Sequence, residues 1–208
     1  MCDQCGLRVA DSVLGILCHV CFRLHQLGSM PELEVARELS QVIPKKFIVA
    51  RIEHLNKKLQ DVIHGDIDEG VLLWGISGAG KSYAMAAMAR TYFFQGFGVK
   101  RVHYESLCLK LRDTFKPRAT QTEWGIIEPL LTCDKLFIED LGTAKSLGGT
   151  ETDHSTRTFT LILDQRMEEM LPTFVTTNKS IENLGFGERV IDRLRTLQVF
   201  KMGPKSRR

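Results

Sequence analysis

The chain has 208 residues, of which 43% are hydrophobic and 25% are charged, and its formal net charge is +3. These values exclude a disordered chain and are typical of a globular protein with one good core and a small appendage. No apolar run approaches the roughly 18 residues that a membrane span requires. Because charged residues also interrupt the N-terminus, we expect no signal peptide, no membrane partner and a cytoplasmic location.

The N-terminal region is rich in cysteine. Two C-x2-C pairs, separated by twelve residues, are formed by Cys2, Cys5, Cys18 and Cys21. Two such knuckles let four thiolates converge on Zn²⁺, and we predict a structural zinc module over residues 1–27 that needs the metal to fold. Two disulfides are the alternative, which a cytosolic setting disfavours. His19 could replace one thiolate, although the spacing favours Cys18. Cys108 and Cys133 are isolated and are expected to be buried thiols.

The rest of the chain alternates between strand and helix patterns. Residues 28–45 are predicted to be a linker with a helical stretch from Glu32 to Val42, and residues 46–208 are predicted to form the main domain. Apolar strand patterns occur at 71–74, 101–104, 136–138, 173–177 and 198–202, and helical patterns include 83–94, 107–115 and 159–170. This alternation predicts an α/β fold, a five-stranded parallel sheet with helices on both faces. Residues 142–155 are predicted to be a loop.

Residues 75–82 carry the pattern G-x-x-x-x-G-K-[ST], which is typical of a phosphate-binding loop. The glycines let successive backbone N–H groups curl around a phosphate. Lys81 is predicted to reach the β- and γ-phosphates of ATP, and the Ser82 hydroxyl to ligate Mg²⁺. The predicted nucleotide-binding residues are Gly75, Ser77, Gly78, Ala79, Gly80, Lys81 and Ser82.

Two later strands supply polar groups for the same site. The strand at 136–138 runs into Glu139 and Asp140; their spacing predicts that Glu139 holds Mg²⁺ and that Asp140 polarises the attacking water. Asn178 follows the next strand and is predicted to orient that water, although an Asn in this place is also common in turns.

Basic residues concentrate in two segments. Between Lys100 and Arg118 there are six Lys or Arg residues against two acids, and from Arg189 to Arg208 there are seven against one. Such segments on a nucleotide-binding core suggest a nucleic-acid surface, with solvated faces as the alternative. The predicted DNA contacts are Lys110, Arg112, Lys116 and Arg118. Arg189 and Arg193 are spaced i,i+4 on one helix face, where an arginine could reach a neighbouring subunit's γ-phosphate.

In combination these motifs resemble a known family. The phosphate loop, residues 136–142, residues 175–178 and residues 188–194 are similar to AAA+ helicase loaders of the DnaC/DnaI type and their IstB-like transposition relatives. Further similarities lie at residues 43–47, 111–115 and 203–207, so that the resemblance covers roughly residues 40–208. The short stretch after the last predicted strand leaves no room for the helical lid of most AAA+ proteins, as in the loader and IstB-like branch.

The resemblance implies an AAA+ homo-oligomer with its sites at subunit interfaces, which binds ATP and Mg²⁺ and delivers a DnaB-type replicative helicase onto single-stranded DNA. By match, it implies catalytic or sensing roles for Lys81, Glu139, Asp140, Asn178 and, as an arginine finger, Arg193. A cysteine-rich N-terminal module is also similar to some loaders, where this region contacts the helicase. The order Glu-Asp, where Asp-Asp or Asp-Glu is usual, leaves the division of roles and the hydrolysis rate open.

Two other functions remain open at this point. An IstB-like ATPase would assemble on double-stranded DNA and recruit a transposase. An ATP-switched adaptor would bind nucleotide at the same loop but hydrolyse it little.

Overall fold

The core of the molecule is a single parallel sheet. The structure is a computed structural model that describes residues 19–65, 70–142 and 153–203. Its five strands are β1 (Gly70–Trp74), β2 (Val99–His103), β3 (Lys135–Leu141), β4 (Thr173–Thr177) and β5 (Gln198–Lys201). They lie in the order β2-β3-β4-β1-β5, and all neighbours are parallel. The predicted five-stranded parallel sheet is confirmed.

The described residues form eight α-helices. They are α1 (His19–Ser29), α2 (Glu32–Val42), α3 (Lys57–His64), α4 (Lys81–Phe94), α5 (Tyr104–Asp113), α6 (Glu123–Thr132), α7 (Asp153–Glu168) and α8 (Glu188–Arg195). Short 3-10 turns lie at Lys45–Phe47, Ile52–His54 and Ile181–Asn183. No helix within the described ranges is both long and apolar enough to cross a bilayer.

Helices cover both faces of the sheet, as predicted. Alternate strand residues point to opposite faces, so that Val71 and Leu73 of β1 join a core with α4, whereas Leu72 joins a second core with α5, α6 and α7. The middle of α4 is apolar on all sides and almost entirely buried. The predicted buried thiols Cys108 and Cys133 are confirmed.

Helix α6 has no counterpart among the predicted helices. Gly125 and Pro129 lie inside it and both have low helix propensity. The helix is capped by Thr122, whose Oγ1 accepts a hydrogen bond from the Gly125 N–H at 3.1 Å, and it buries Ile127 and Leu130. Its capping and packing therefore outweigh its unfavourable composition.

The helical stretch predicted between Glu32 and Val42 is present as α2. It buries Leu39 and Val42 in the same core as α4, and an ion pair between Arg23 and Glu38 joins it to α1. The boundaries at 1–27, 28–45 and 46–208 stay a prediction. Cys2, Cys5 and Cys18 and most of the predicted loop at 142–155 lie outside the described residues, while Asp153 already begins α7.

One charged side chain is enclosed at the starting ends of β3 and β4. Arg166 of α7 has no exposed surface. Its Nη1 donates to the carbonyl oxygens of Leu130 and Cys133, both at 2.8 Å, and its Nη2 to that of Pro172 at 2.9 Å. Its Nε donates to Thr173 Oγ1 at 3.0 Å. Burial lowers the pKa of this guanidinium, but an arginine remains charged in proteins, so that the cation depends on these acceptors.

We expect Arg166→Met to lower the free energy of unfolding by at least about 3 kcal/mol, because several buried acceptors lose their donor. Urea unfolding monitored by circular dichroism measures the change. Arg157→Met is the matched control, since Arg157 is exposed on the same helix, and it should change stability by less than about 0.5 kcal/mol. Equal midpoints for the two variants would contradict the structural role given to Arg166.

Candidate nucleotide site

The phosphate-loop pattern lies between β1 and α4, as predicted. Gly80 adopts φ +90° directly before α4, a conformation that other residues rarely adopt. A Cβ on Gly80 would meet nothing within 4 Å, so the loop is open at this point. Gly75 is required for another reason, because a Cβ there would lie 2.7 Å from the Met202 carbonyl oxygen. The loop can therefore present backbone N–H groups to an anion at the start of a helix.

The Lys81 side chain lies beneath the loop and is only 6% exposed. Its Nζ donates to the carbonyl oxygens of Gly75 at 2.7 Å and Ile76 at 3.0 Å, and to Asn178 Oδ1 at 2.7 Å. Burial lowers the pKa of Lys81, and the charge of Asp140 partly offsets this effect. The structure thus brings the predicted residues Gly75, Lys81 and Asn178 into direct contact, although they come from different elements.

The two carboxylates at the end of β3 have different surroundings. Glu139 is 3% exposed, and its Oε1 accepts a hydrogen bond from Arg101 Nε at 2.8 Å. Asp140 adopts φ +56°, and its backbone N–H donates to Thr176 Oγ1 at 3.0 Å. The β3–β4 register is irregular in this segment. Asp140 acts electrostatically on Lys81, whereas Glu139 is tied to β2. Their predicted division into metal ligand and base stays a prediction.

His103, at the end of β2, contacts Asp140 with 3.1 Å between Nε2 and Oδ2. This hydrogen bond lowers the pKa of Asp140, against the opposing effect of burial, and the nearby Lys81 and Arg101 charges add to the lowering. The same hydrogen bond raises the pKa of His103, again against burial. Asp140 is therefore held as a carboxylate, the form that can accept a proton.

Arg101, His103 and Thr176 were not among the site residues predicted from the sequence. Arg101 and His103 alternate with Val102 in β2, so their side chains share one face of the strand, and His103 is in register with Glu139. Two basic residues at i,i+2 in a strand of a nucleotide-binding domain would have been the signal.

An aromatic cluster lies beside the start of α4. Tyr83 follows Ser82 directly, and its hydroxyl lies 2.5 Å from His54 Nδ1. The Tyr83 ring is stacked with His54 and edge-on to Phe47, with centroid separations of 6.2 Å in both cases. The cluster therefore places aromatic side chains next to the phosphate loop, the kind of group that packs against a nucleotide base.

Arg189 and Arg193 share a helix face, as their spacing predicts. Arg193 Nε donates to Asp164 Oδ1 at 2.7 Å, and Arg189 Nη2 donates to Asp164 Oδ2 at 2.5 Å. Asp164 belongs to α7, so the two arginines join α8 to that helix.

The predicted DNA contacts are grouped at the end of α5 and in the turn that follows. The exposed basic residues there are Lys110, Arg112, Lys116 and Arg118. Phe115 lies among them and is 65% exposed. Lys116 also pairs with Asp113 at 2.6 Å. All four predicted residues are therefore exposed and close together along the chain, and their role in binding DNA stays a prediction.

Of the predicted zinc ligands only Cys21 is described, and it is buried in α1. Among the described residues there is no cluster of three or more His, Cys, Asp or Glu side chains that could hold a metal. The zinc prediction therefore depends on residues that the structure does not describe.

Comparison with curated proteins finds helicase loaders. The replicative helicase loader DnaC of Buchnera aphidicola subsp. Acyrthosiphon pisum is 27% identical over 124 residues, which cover 58% of this chain and 48% of that protein. The replicative helicase loader DnaI of Bacillus subtilis is 24% identical over 136 residues, which cover 65% of this chain and 42% of that protein. The chain thus spans about half the length of the curated relatives it matches. No family model matches the chain.

Solved structures show the same fold. A crystal structure of the DnaC helicase loader has a TM-score of 0.65 at 17% identity and covers 77% of this chain and 100% of that one. A crystal structure of DnaI has a TM-score of 0.63 at 22% identity and covers 83% and 100% of the two chains. AMPPCP-bound DnaA from Aquifex aeolicus has a TM-score of 0.66 at 12% identity and covers 79% and 51%. The predicted AAA+ fold is confirmed, as is the resemblance to DnaC and DnaI.

We expect His103→Gln to show a pH-dependent loss of stability. Because the folded pKa of His103 is raised above 6.5, its contribution is present below pH 6.5 and is lost as the pH rises through the raised value. Asp140 also contributes to stability, because its pKa is lowered below 3.8. That contribution is lost only as the pH falls through the lowered value. The difference from wild type should be larger at pH 6 than at pH 9, and below about 1 kcal/mol because the pair is partly exposed.

Urea unfolding of the ligand-free protein at both pH values checks this expectation. His25→Gln, at an exposed position of α1, controls for the loss of a histidine elsewhere. A stability difference that is the same at pH 6 and pH 9 would contradict the interaction between His103 and Asp140.

Proposed function

We propose that the chain is an ATPase of the DnaC/DnaI-like AAA+ family that loads a DnaB-type replicative helicase onto single-stranded DNA. The similarity to curated helicase loaders supports the loading role, and the ATPase activity is supported by the group that Lys81, Asn178 and Asp140 form at the phosphate loop. A cation, a neutral acceptor and a held carboxylate around an open loop are the parts that phosphoryl transfer to water requires.

The residues present fit a nucleotide with its metal. The loop is open at Gly80, α4 directs its N-terminus there, and Lys81 is the buried cation of the site. Mg²⁺, when bound, neutralises charge on the phosphates. The Ser82 hydroxyl and the Glu139 carboxylate are the proposed ligands. To bind the metal, Glu139 would have to give up its hydrogen bond with Arg101 or use its second oxygen, Oε2. The rings of Tyr83 and His54 would hold the base.

Polarisation of the attacking water is assigned to Asp140. The hydrogen bond with His103 and the nearby charge of Lys81 stabilise its ionised form, so the carboxylate is available to accept a hydrogen bond from that water. Asn178 lies within hydrogen-bond distance of Lys81, and it would orient the water near the end of the triphosphate. Arg193 would supply positive charge to the site of a neighbouring copy, which makes hydrolysis depend on a homo-oligomer.

The basic surface at the end of α5 is the proposed contact with DNA. Four positive side chains can track a phosphate backbone, and the exposed Phe115 ring among them offers a stacking surface to an unpaired base. A base inside a duplex is already stacked on both sides, and therefore this combination favours single strands.

We also propose that residues 1–27 form a zinc module that contacts the helicase. The four thiolates of Cys2, Cys5, Cys18 and Cys21 are a donor set that closes a structural zinc site. The last residues of this module, including Cys21, lie in α1, and α2 follows α1 along the chain.

We expect the purified full chain to carry about one zinc per chain and Cys21→Ser to lower the zinc content several-fold, because three thiolates hold zinc less well than four. Metal analysis by mass spectrometry measures it. Cys108→Ala, at a buried position of the core, should keep the metal. Full zinc content in Cys21→Ser, or two disulfides in the wild-type protein, would contradict the module.

The functional test combines ATPase assays with affinity capture. ATP hydrolysis should rise with single-stranded DNA more than with duplex DNA, and Lys81→Ala should abolish it. A replicative helicase should be captured with the full chain. Duplex preference together with a captured transposase would select the IstB-like alternative, and nucleotide binding without hydrolysis would select the adaptor.

We expect the double variant Arg112→Gln, Lys116→Gln to bind single-stranded DNA about tenfold to hundredfold more weakly at low salt. The slope of log K against log salt should fall by about 0.7 for each phosphate that the variant no longer neutralises. Fluorescence anisotropy with an oligonucleotide at several salt concentrations measures both. The control is Lys57→Gln, Lys58→Gln, which removes two exposed charges from α3. Equal weakening by the control pair would show that net charge, rather than this surface, binds the DNA.

A further inference from the structure

The contact between α7 and α8 is built around one carboxylate. Asp164 is 12% exposed, and each of its oxygens accepts one arginine, Arg193 at 2.7 Å and Arg189 at 2.5 Å. Burial alone would raise the pKa of Asp164, but the hydrogen bonds from Arg193 and Arg189 prevail and lower it. Asp164 is therefore ionised, and each of its two oxygens is bound by one guanidinium group.

Arg193 contacts Asp164 through one particular nitrogen, and this determines which of its other N–H groups can bind a second acceptor. Its contact with Asp164 uses Nε, which is the inner nitrogen of the planar guanidinium. A guanidinium carries five N–H donors in one plane, and four of them lie on the two Nη atoms. Anchoring Nε restricts the orientation of the guanidinium and leaves its outer edge for a second acceptor. The Arg193 side chain is 39% exposed, so this edge can be reached from outside.

Arg189 is held differently. It donates through an Nη atom, the outer edge of its guanidinium, and its side chain is 71% exposed. Arg189 thus uses an outer Nη atom to bind Asp164, whereas the Nη atoms of Arg193 are not used in that contact. Of the two arginines, Arg193 is the one presented in the orientation that a bidentate phosphate contact requires.

We propose that Asp164 is a positioning residue, which holds the Nε of Arg193 so that its outer edge faces the nucleotide of an adjacent copy. The inference rests on the proposed role of Arg193 as an arginine finger. A finger acts on charge that develops in the transition state, and a misplacement of about 1 Å can cost roughly a hundredfold in rate. Loss of Asp164 therefore lowers kcat. The KM for ATP changes little, because it is set by the phosphate loop of the subunit that binds the ATP.

The experiment mixes full-length subunits that carry complementary defects. Lys81→Ala subunits cannot hydrolyse ATP but still present Arg193, and Asp164→Ala subunits keep an intact phosphate loop but present Arg193 poorly. We expect Asp164→Ala alone to have a kcat about tenfold to hundredfold below wild type. In an equal mixture, the ATPase rate should rise well above the sum of the separate rates, because Arg193 of a Lys81→Ala subunit completes the site of an Asp164→Ala subunit.

Restored activity in the mixture also shows that the Asp164→Ala subunit is folded, which a low rate alone does not. Asp192→Ala is the matched control, since Asp192 forms an exposed ion pair with Arg195 on the same helix at 3.1 Å; its kcat should equal that of wild type. Arg193→Ala should behave as Asp164→Ala does, both alone and in the mixture.

The possible outcomes distinguish the positioning role of Asp164 from the arginine-finger role of Arg193. A wild-type kcat for Asp164→Ala, with a lowered kcat for Arg193→Ala, overturns the positioning role alone. So does restoration of Arg193→Ala, but not of Asp164→Ala, by the Lys81→Ala subunits, because Asp164 would then be needed within its own subunit. A wild-type kcat for Arg193→Ala overturns the finger itself, and the positioning role with it.

Discussion

The enclosed guanidinium of Arg166 sets where the two central strands of the candidate site begin. It binds the backbone just before β3 and at the start of β4, and it draws in the end of α6. From these starting ends the two strands run in parallel to Asp140 and Asn178 at their other ends. The β3–β4 register is regular from Leu136 to Ile138 and becomes irregular only next to Asp140. Backbone carbonyls as partners satisfy the charge without a carboxylate in the core.

At the functional end of the sheet, each charge is paired within the protein. Lys81 is held by carbonyls and by Asn178, Asp140 by His103, and Glu139 by Arg101. Buried charges need such partners. A ligand that enters this site exchanges existing hydrogen bonds for new ones, and part of its binding free energy is spent on that exchange. Nucleotides that differ in their phosphates would then leave Asn178, Glu139 and Asp140 in different arrangements.

Sequence reasoning found what depends on local pattern. The phosphate loop has a fixed spacing, and the apolar strand segments were visible because parallel strands are buried on both faces. Three features were not visible. Helix α6 contains Gly125 and Pro129, so that its stability comes from tertiary packing. Arg166 has mostly backbone partners, which leave no sequence signal. The pairing of His103 with Asp140 depends on strand register and on the left-handed backbone of Asp140, neither of which a pattern search detects.

The close approach at Gly75 links the phosphate loop to the rim of the sheet. Among the described strands, β5 is an edge strand that pairs only with β1, and the Met202 N–H at its end donates to the Trp74 carbonyl at 2.7 Å. The Met202 carbonyl oxygen fills the space that a side chain on Gly75 would occupy. A shift of this edge strand by an ångström would either open a gap behind the loop or press on it. The position of this edge strand and the shape of the phosphate loop therefore depend on each other through the contact between Met202 and Gly75.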